Sequence, residues 1–386
     1  MFTKNDLYEI ADSIKPADAK AMNEARKRQD TLAKPPGSLG RLEEMGIRMA
    51  GITGKVCNEI KKSCVIIMCS DNGVTEESVA STPQSVTVSQ TVNFTRRLTG
   101  VGTLAESFGS ELLIVDVGVK GDIPDELYDE IPLRDTHKII NRKIRRGTFN
   151  LAHEAAMTAG EAVRAMGIGI EMADSAKKNG FDIVGVGEMG IGNTTTSAAV
   201  LSSITGMDSS ETCGRGSGLN DSSFEIKKRI VDDVSSEYRK LGKGWIYGER
   251  KEAREVIIDI VSKVGGFDIC AMAGVFVGAA ANKMPVVIDG YISIVAALVA
   301  YIIEPKSVDY MFASHKSFER GYSHAMNILG VKPFLDLDMR LGEGSGCPIA
   351  FEVIRGACDV MNSMATFEEA AINDDYLEEI RKGDYF

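Results

Sequence analysis

CVIIMCSDNGV, residues 64–74, is the stretch on which the fold turns. Its first six residues are apolar without alternation, the pattern of a strand buried on both faces. The run then ends abruptly in Ser70, Asp71, Asn72 and Gly73. Four more runs repeat the plan: ELLIVDVGV (111–119), FDIVGVGEMG (181–190), MPVVIDG (284–290) and VDYMFAS (308–314). Between them lie alanine-rich segments with helical spacing, notably LAHEAAMTAGEAVRAMGIGIEMADSAKKNG and DICAMAGVFVGAAANK. Strand and helix in this rhythm predict an α/β fold, a mostly parallel, Rossmann-like sheet with helices on both faces. Ligands of such folds bind outside the carboxyl ends of the strands.

Before the first strand, residues 1–53 read as helix, interrupted at Pro16 and closed by KPPGSL (34–39) before LGRLEEMGIRMAGITG resumes the pattern. Two prolines followed by glycine stop a helix. A small helical domain built from both chain ends, 1–60 with 351–386, is expected beside a large α/β domain over 61–350.

Composition narrows the function. A net charge of −11 and a pI near 5.1 repel a phosphate backbone, so nucleic acid is excluded as a partner. Seven scattered cysteines without a C-x-x-C pair indicate a reduced, cytoplasmic chain with no structural zinc. Residues 1–14 carry acids and no continuous apolar core, which argues against a signal peptide. The greasiest run, 291–303, falls short of the roughly 18 residues of a membrane span and reads as a buried helix.

Nearly every strand candidate runs into a polar or glycine-rich loop. GEMGIGNTTTSAAV (187–200) leads into a helix with Asn193 and three threonines around its start. Free amides and the dipole at a helix N-terminus bind phosphate. Its order is G-x-x-G-x-G, neither the dinucleotide fingerprint nor a Walker loop. A capped helix that binds nothing explains it equally well. CGRGSGLND (213–221) is a second such loop, followed by a helix carrying Lys227 and Lys228. A lysine there either pairs with a phosphate or belongs to a solvated helix face. His315 has no second histidine at metal spacing, and no metal site is expected. RLGEGSG (340–346), after the apolar run FLDLDM, sets one acid between glycines. It reads as a carboxylate aimed at a ligand, or as a strand-to-helix turn whose acid suits the helix dipole. Glu343 and Glu188 are the acid and base candidates.

Taken together, KPPGSLGRLE (34–43), GEMGIGNTTTSA (187–198), GRGSGLND (214–221), GGFDICAMAG (265–274), IDG (288–290) and LDLDMRLGEGSG (335–346) resemble the nicotinate-nucleotide:dimethylbenzimidazole phosphoribosyltransferase family, in its order and across most of the chain. The resemblance implies transfer of the phosphoribosyl group of nicotinate mononucleotide to 5,6-dimethylbenzimidazole in cobamide assembly, by a homodimer, without a cofactor. It places the catalytic base on Glu343 and the second acidic position on Glu188. It implies a phosphoribosyl grip from Gly190, Gly192, Asn193, Gly216, Lys227, Gly290 and Ser317, and a base pocket including Ser81, Ser89, Met189 and Leu341. Three positions depart from the family pattern: Asn72 where histidine is usual, Ser89 where several members carry glutamine, and Met189 where others carry leucine. They fall in the pocket that selects the base, so other benzimidazoles, purines or phenolic compounds are alternative acceptors. The competing reading is a non-catalytic nucleotide-binding subunit of a paralogous enzyme. A dinucleotide-dependent oxidoreductase shares the sheet but lacks the fingerprint.

Overall fold

The computed structural model describes residues 2–377. Seven strands, β1 (Ser63–Ser70), β2 (Glu111–Gly118), β3 (Tyr128–Asp129), β4 (Ile139–Asn141), β5 (Ile183–Met189), β6 (Val286–Ile288) and β7 (Met311–Ala313), form one sheet in the order β3-β4-β2-β1-β5-β6-β7. Every pairing is parallel. All residues of β1 and β5 are buried, so both faces at the sheet centre are covered. The unbroken apolar run at 64–69 has this cause.

Three helices precede the sheet, α1 (Lys4–Ser13), α2 (Ala19–Thr31) and α3 (Arg41–Thr53). Thr3 and Asp6 form a capping box at the first and Asp18 caps the second, on either side of the break at Pro16. α4 (Ser85–Thr95) and α5 (Gly100–Ser107) connect β1 to β2, and α6 (Ala159–Lys178) precedes β5. After β5 come α7 (Asn193–Thr205), the single turn α8 (Ser209–Thr212), α9 (Asp221–Arg239), α10 (Arg250–Val264) and α11 (Phe267–Ala281). α12 (Tyr291–Ile303) joins β6 to β7, and α13 (Tyr322–Leu329) and α14 (Gly346–Ser363) follow.

From β1 the chain moves outward to β2 on one side, whereas from β5 it moves outward to β6 on the other. The boundary between β1 and β5 is therefore the topological switch point, where a crevice opens at the strands' carboxyl ends. Met68 pairs with Glu188 and Cys69 with Met189, which brings the loops after both strands to that crevice.

The core behind the sheet is built on α11, buried at every residue from Phe267 to Ala280. Its tight packing on α6 needs glycine: a Cβ on Gly274 would stand 1.9 Å from the carbonyl oxygen of Met166, and one on Gly169 would stand 1.9 Å from that of Ala271. α12 is buried except at Tyr301, as its composition predicts, and among the described residues no helix is long and apolar enough to cross a membrane.

The two chain ends meet. Ala21, Ala25, Ala50 and Met361 form a small cluster of their own, and Leu32 bridges to Thr366, while Leu7, Ala11 and Ile14 near the N-terminus join the main core. Residues 378–386 of the predicted helical unit lie outside the described residues.

Four sequence expectations shift. The short strands β3 and β4 were not signalled, because two or three residues carry no readable period. LAHEAAM is loop and turn, and α6 begins only after the Thr158–Glu161 capping box opens. The first part of the VDYMFAS run winds into a 3₁₀ turn over Pro305–Tyr310. FLDLDM is not a strand: Leu335 makes one isolated bridge to His315, and Asp338 takes a left-handed conformation.

Gly274→Ala should lower the unfolding free energy by about 1–3 kcal/mol, because the added methyl must push two packed backbones apart. Urea denaturation of the variant beside the parent chain measures this.

Candidate active site

Glu343 lies in the turn ahead of α14, not in the helix. Gly342, Glu343 and Gly344 are consecutive left-handed residues, with φ of 85°, 64° and 86°. Glycine takes that conformation freely, whereas the glutamate costs about 1 kcal/mol and must be held there. Carboxylates from two strands hold it. Asp289, one residue beyond β6, accepts the N–H of Gly344 at 3.1 Å on Oδ2 and that of Gly346 at 2.7 Å on Oδ1. Glu188 of β5 accepts the N–H of Glu343 at 3.3 Å. Gly187 lets the turn lie directly on β5, since a Cβ there would stand 2.3 Å from the Glu343 carbonyl oxygen.

The turn thus aims the Glu343 side chain towards α4 and α5. Gln90 Nε2 donates to Oε1 at 3.1 Å, and the N–H of Val101, in the first turn of α5, lies 3.4 Å from Oε2. Burial raises the Glu343 pKa, and the donors at Val101, Gln90 and Gly100 oppose that rise. The result is a water-shielded carboxylate with donors on both oxygens and lone pairs left for a ligand.

Glu188 differs. Burial, reinforced by Asp268 and Asp289, pushes its pKa up to about 8 despite donors from Glu343 N–H and the Asn193 side chain. Asp268 and Asp289 are both raised to about 7, chiefly by burial. His315, whose Nδ1 is 3.0 Å from Ser314 Oγ, is lowered to about 4 by burial and stays neutral.

Glu343, Glu188, Asp289 and His315 border one cavity of about 850 Å³, large enough for a nucleotide and a second ring system. The structure brings Glu343, Glu188, Gly190, Gly192, Asn193, Gly216, Gly290, Ser317, Ser81, Met189 and Leu341 to its wall. Gly192 is the N-cap of α7, and Gly290 that of α12. Ser81 Oγ touches Ser217 Oγ at 2.6 Å, closing the segment after β1 against the 214–219 loop.

Two anticipated residues are placed elsewhere. Lys227 does not line the cavity: fully buried, its ammonium donates to Thr194 Oγ1 and to the Gly214 carbonyl, both at 3.0 Å, so it ties the two glycine-rich loops together from behind. Ser89 is exposed and its hydroxyl returns to the Ser85 carbonyl of its own helix. One residue on a helix turns the side chain by about 100°, and it is Gln90 that enters the site.

Sequence reasoning also passed over the Asp289 and Asp268 carboxylates, Thr194 and the cavity-lining Arg215. The signal for the two acids was available, as each directly follows an apolar residue in a motif already singled out, GGFDICAMAG and IDG. Behind the site, the Asn72 amide and Asp268 Oδ2 are buried without a hydrogen-bond partner.

A phosphoribosyltransferase family model matches residues 14–372. A protein of Clostridium perfringens strain ATCC 13124 that is 51% identical over 375 residues, 97% of this chain and 98% of that one, is named nicotinate-nucleotide–dimethylbenzimidazole phosphoribosyltransferase. One from Clostridium tetani strain Massachusetts, 45% identical over 377 residues, 97% of this chain and 98% of that one, has the same name. The chain belongs to this family. The crystal structure of CobT from Thermus thermophilus superimposes with a TM-score of 0.82 at 34% identity, covering 92% of this chain and 99% of that one.

The buried acids couple stability to pH. Glu188, Asp268 and Asp289 keep their protons in the folded chain to higher pH than in the unfolded one. The folded state therefore binds more protons between the ordinary carboxylate range and pH 8, and stability falls as pH rises through that window. Unfolding free energies measured by urea titration at pH 5 and pH 8 should show this fall, and Glu188→Gln should flatten it.

Proposed function

We propose that this chain transfers the phosphoribosyl group of nicotinate mononucleotide to 5,6-dimethylbenzimidazole or a related base, giving α-ribazole 5′-phosphate and nicotinate for cobamide nucleotide-loop assembly. The observation that carries the reading is the pairing, on one cavity wall, of a single donor-held carboxylate, Glu343, with the start of α7 after β5, which no side chain caps. The names of the relatives point the same way.

The chemistry asks for little more. The pyridinium of nicotinate mononucleotide already carries a positive charge, so nicotinate departs without being protonated. The incoming benzimidazole must lose its second N–H proton as its other ring nitrogen attacks the anomeric carbon, and Glu343 takes that proton as general base. Glu188, accepting the Glu343 N–H, fixes the turn that aims the base. Gly190, Gly192, Asn193, Gly216, Gly290 and Ser317 would cradle the phosphoribosyl group, with Arg215 supplying the nearby charge and Lys227 holding the loops. Ser81, Met189, Leu341 and Gln90 would border the base. Inversion in one displacement puts the attacking and departing rings on opposite faces of the ribose.

The chain ends, 1–60 with the described part of 351–386, would form a small helical unit, supported by the cluster between α2, α3 and α14. We place the enzyme in the cytoplasm as a homodimer. All seven cysteines are free, which suits a reducing compartment.

Incubating the purified chain with nicotinate mononucleotide and a panel of bases should yield α-ribotides, identified by mass and by anomeric NMR couplings. Glu343→Gln should lower kcat by about 10²–10⁴-fold with KM for nicotinate mononucleotide little changed. A variant retaining most of its activity would refute the general-base assignment.

A further inference from the structure

We infer that Asn93 and Gln90 are positioning residues that act in series to present a fixed N–H donor to the general base, so that the α4 helix sets both the aim and the working pH range of Glu343. The inference rests on the reading of Glu343 as the base.

An ionised carboxylate only accepts hydrogen bonds, so the Gln90 amide 3.1 Å from Glu343 Oε1 must turn its nitrogen to it. The Gln90 carbonyl oxygen then faces back along α4. There Asn93 Nδ2 donates to Gln90 Oε1 at 3.0 Å, three residues on and on the same helix face. A glutamine amide alone can flip its ends at little cost. With Asn93 donating to its oxygen, the flipped state would oppose N–H to N–H on one side and oxygen to carboxylate on the other. The pair thus leaves one orientation.

The donor matters because little else near Glu343 favours its charge. From β5 it meets Glu188 and from the loop after β6 Asp289, while the neutral His315, after β7, lines the same cavity. The cation nearest in sequence is Arg340 of its own segment, which stacks over Phe318 at 5.4 Å. α4 and α5 contribute the Gln90 amide and the N–H groups of Gly100 and Val101, the last at the long distance of 3.4 Å, and none carries charge. Removing the Gln90 donor leaves a buried carboxylate with only the backbone amides at the start of α5, which favours its protonated form and idles the base at lower pH.

The test is the pH profile of kcat/KM for α-ribotide formation by the full chain. In Gln90→Met the acid limb should move upward by about one pH unit, with a plateau lowered by about tenfold. Gln90→Glu replaces the donor by an acceptor and should move the limb further. Asn93→Asp offers Gln90 only acceptors, reverses the amide and should also move the limb up. In the Gln90→Met background the same Asn93→Asp change should add little, because its effect passes through Gln90. Thermal melts accompany each variant, and a purely structural role would lower Tm while leaving the limb where it is. That result, or an Asn93→Asp effect undiminished without Gln90, overturns the inference. A parent chain that makes no α-ribotide overturns the functional reading itself, and with it the role of both residues.

Discussion

The Asp289 carboxylate, accepting the N–H groups of Gly344 and Gly346, is the constraint on which the site depends. It joins the end of a three-residue strand to a turn far along the chain, and it does so inside the protein, where amides without partners would be expensive. Without it, three consecutive left-handed residues would have no reason to persist, and Glu343 would have no fixed direction. Glu188 adds a third acceptor from the neighbouring strand. Two acids that do no chemistry on the substrate thus shape the segment that carries the acid that does.

This arrangement assigns different jobs to similar groups by environment. Glu188, Asp268 and Asp289 sit where burial pushes their pKa values up, for Glu188 with repulsion from the other two, and Glu343 sits where amide donors resist that tendency. A base that must act near neutrality is served by this balance, since burial raises its basicity while the donors oppose that rise. The helix N-termini have a matching division: α7 starts at the cavity wall without a side-chain cap, and α5 turns its first amides to the base.

Much of the fold was legible in the chain. Five of the seven strands declare themselves as apolar runs ending in polar loops, because a strand covered on both faces must be apolar at consecutive positions. β3 and β4 are too short to have a period, and FLDLDM is an apolar-looking loop beside the mouth of the site that does not cross the sheet. Of the site, the glycine-rich loops and both glutamates could be read, since glycine flanking an acid is a local signal. Ser89 and Lys227 could not be placed: which face of α4 turns inward, and whether a lysine meets ligand or loop, depend on what packs beside them.

The sequence by itself determined the parallel α/β sheet, the buried helices and the presence of Glu343 and Glu188 among glycines, because burial pattern and backbone freedom are written residue by residue. The tertiary structure alone decided that Asp289 holds the turn, that Gln90 and not Ser89 meets the base, and that Lys227 works behind the loops. Each of these is a contact between segments far apart in the chain or a matter of helix rotation, and neither leaves a local trace in the order of residues.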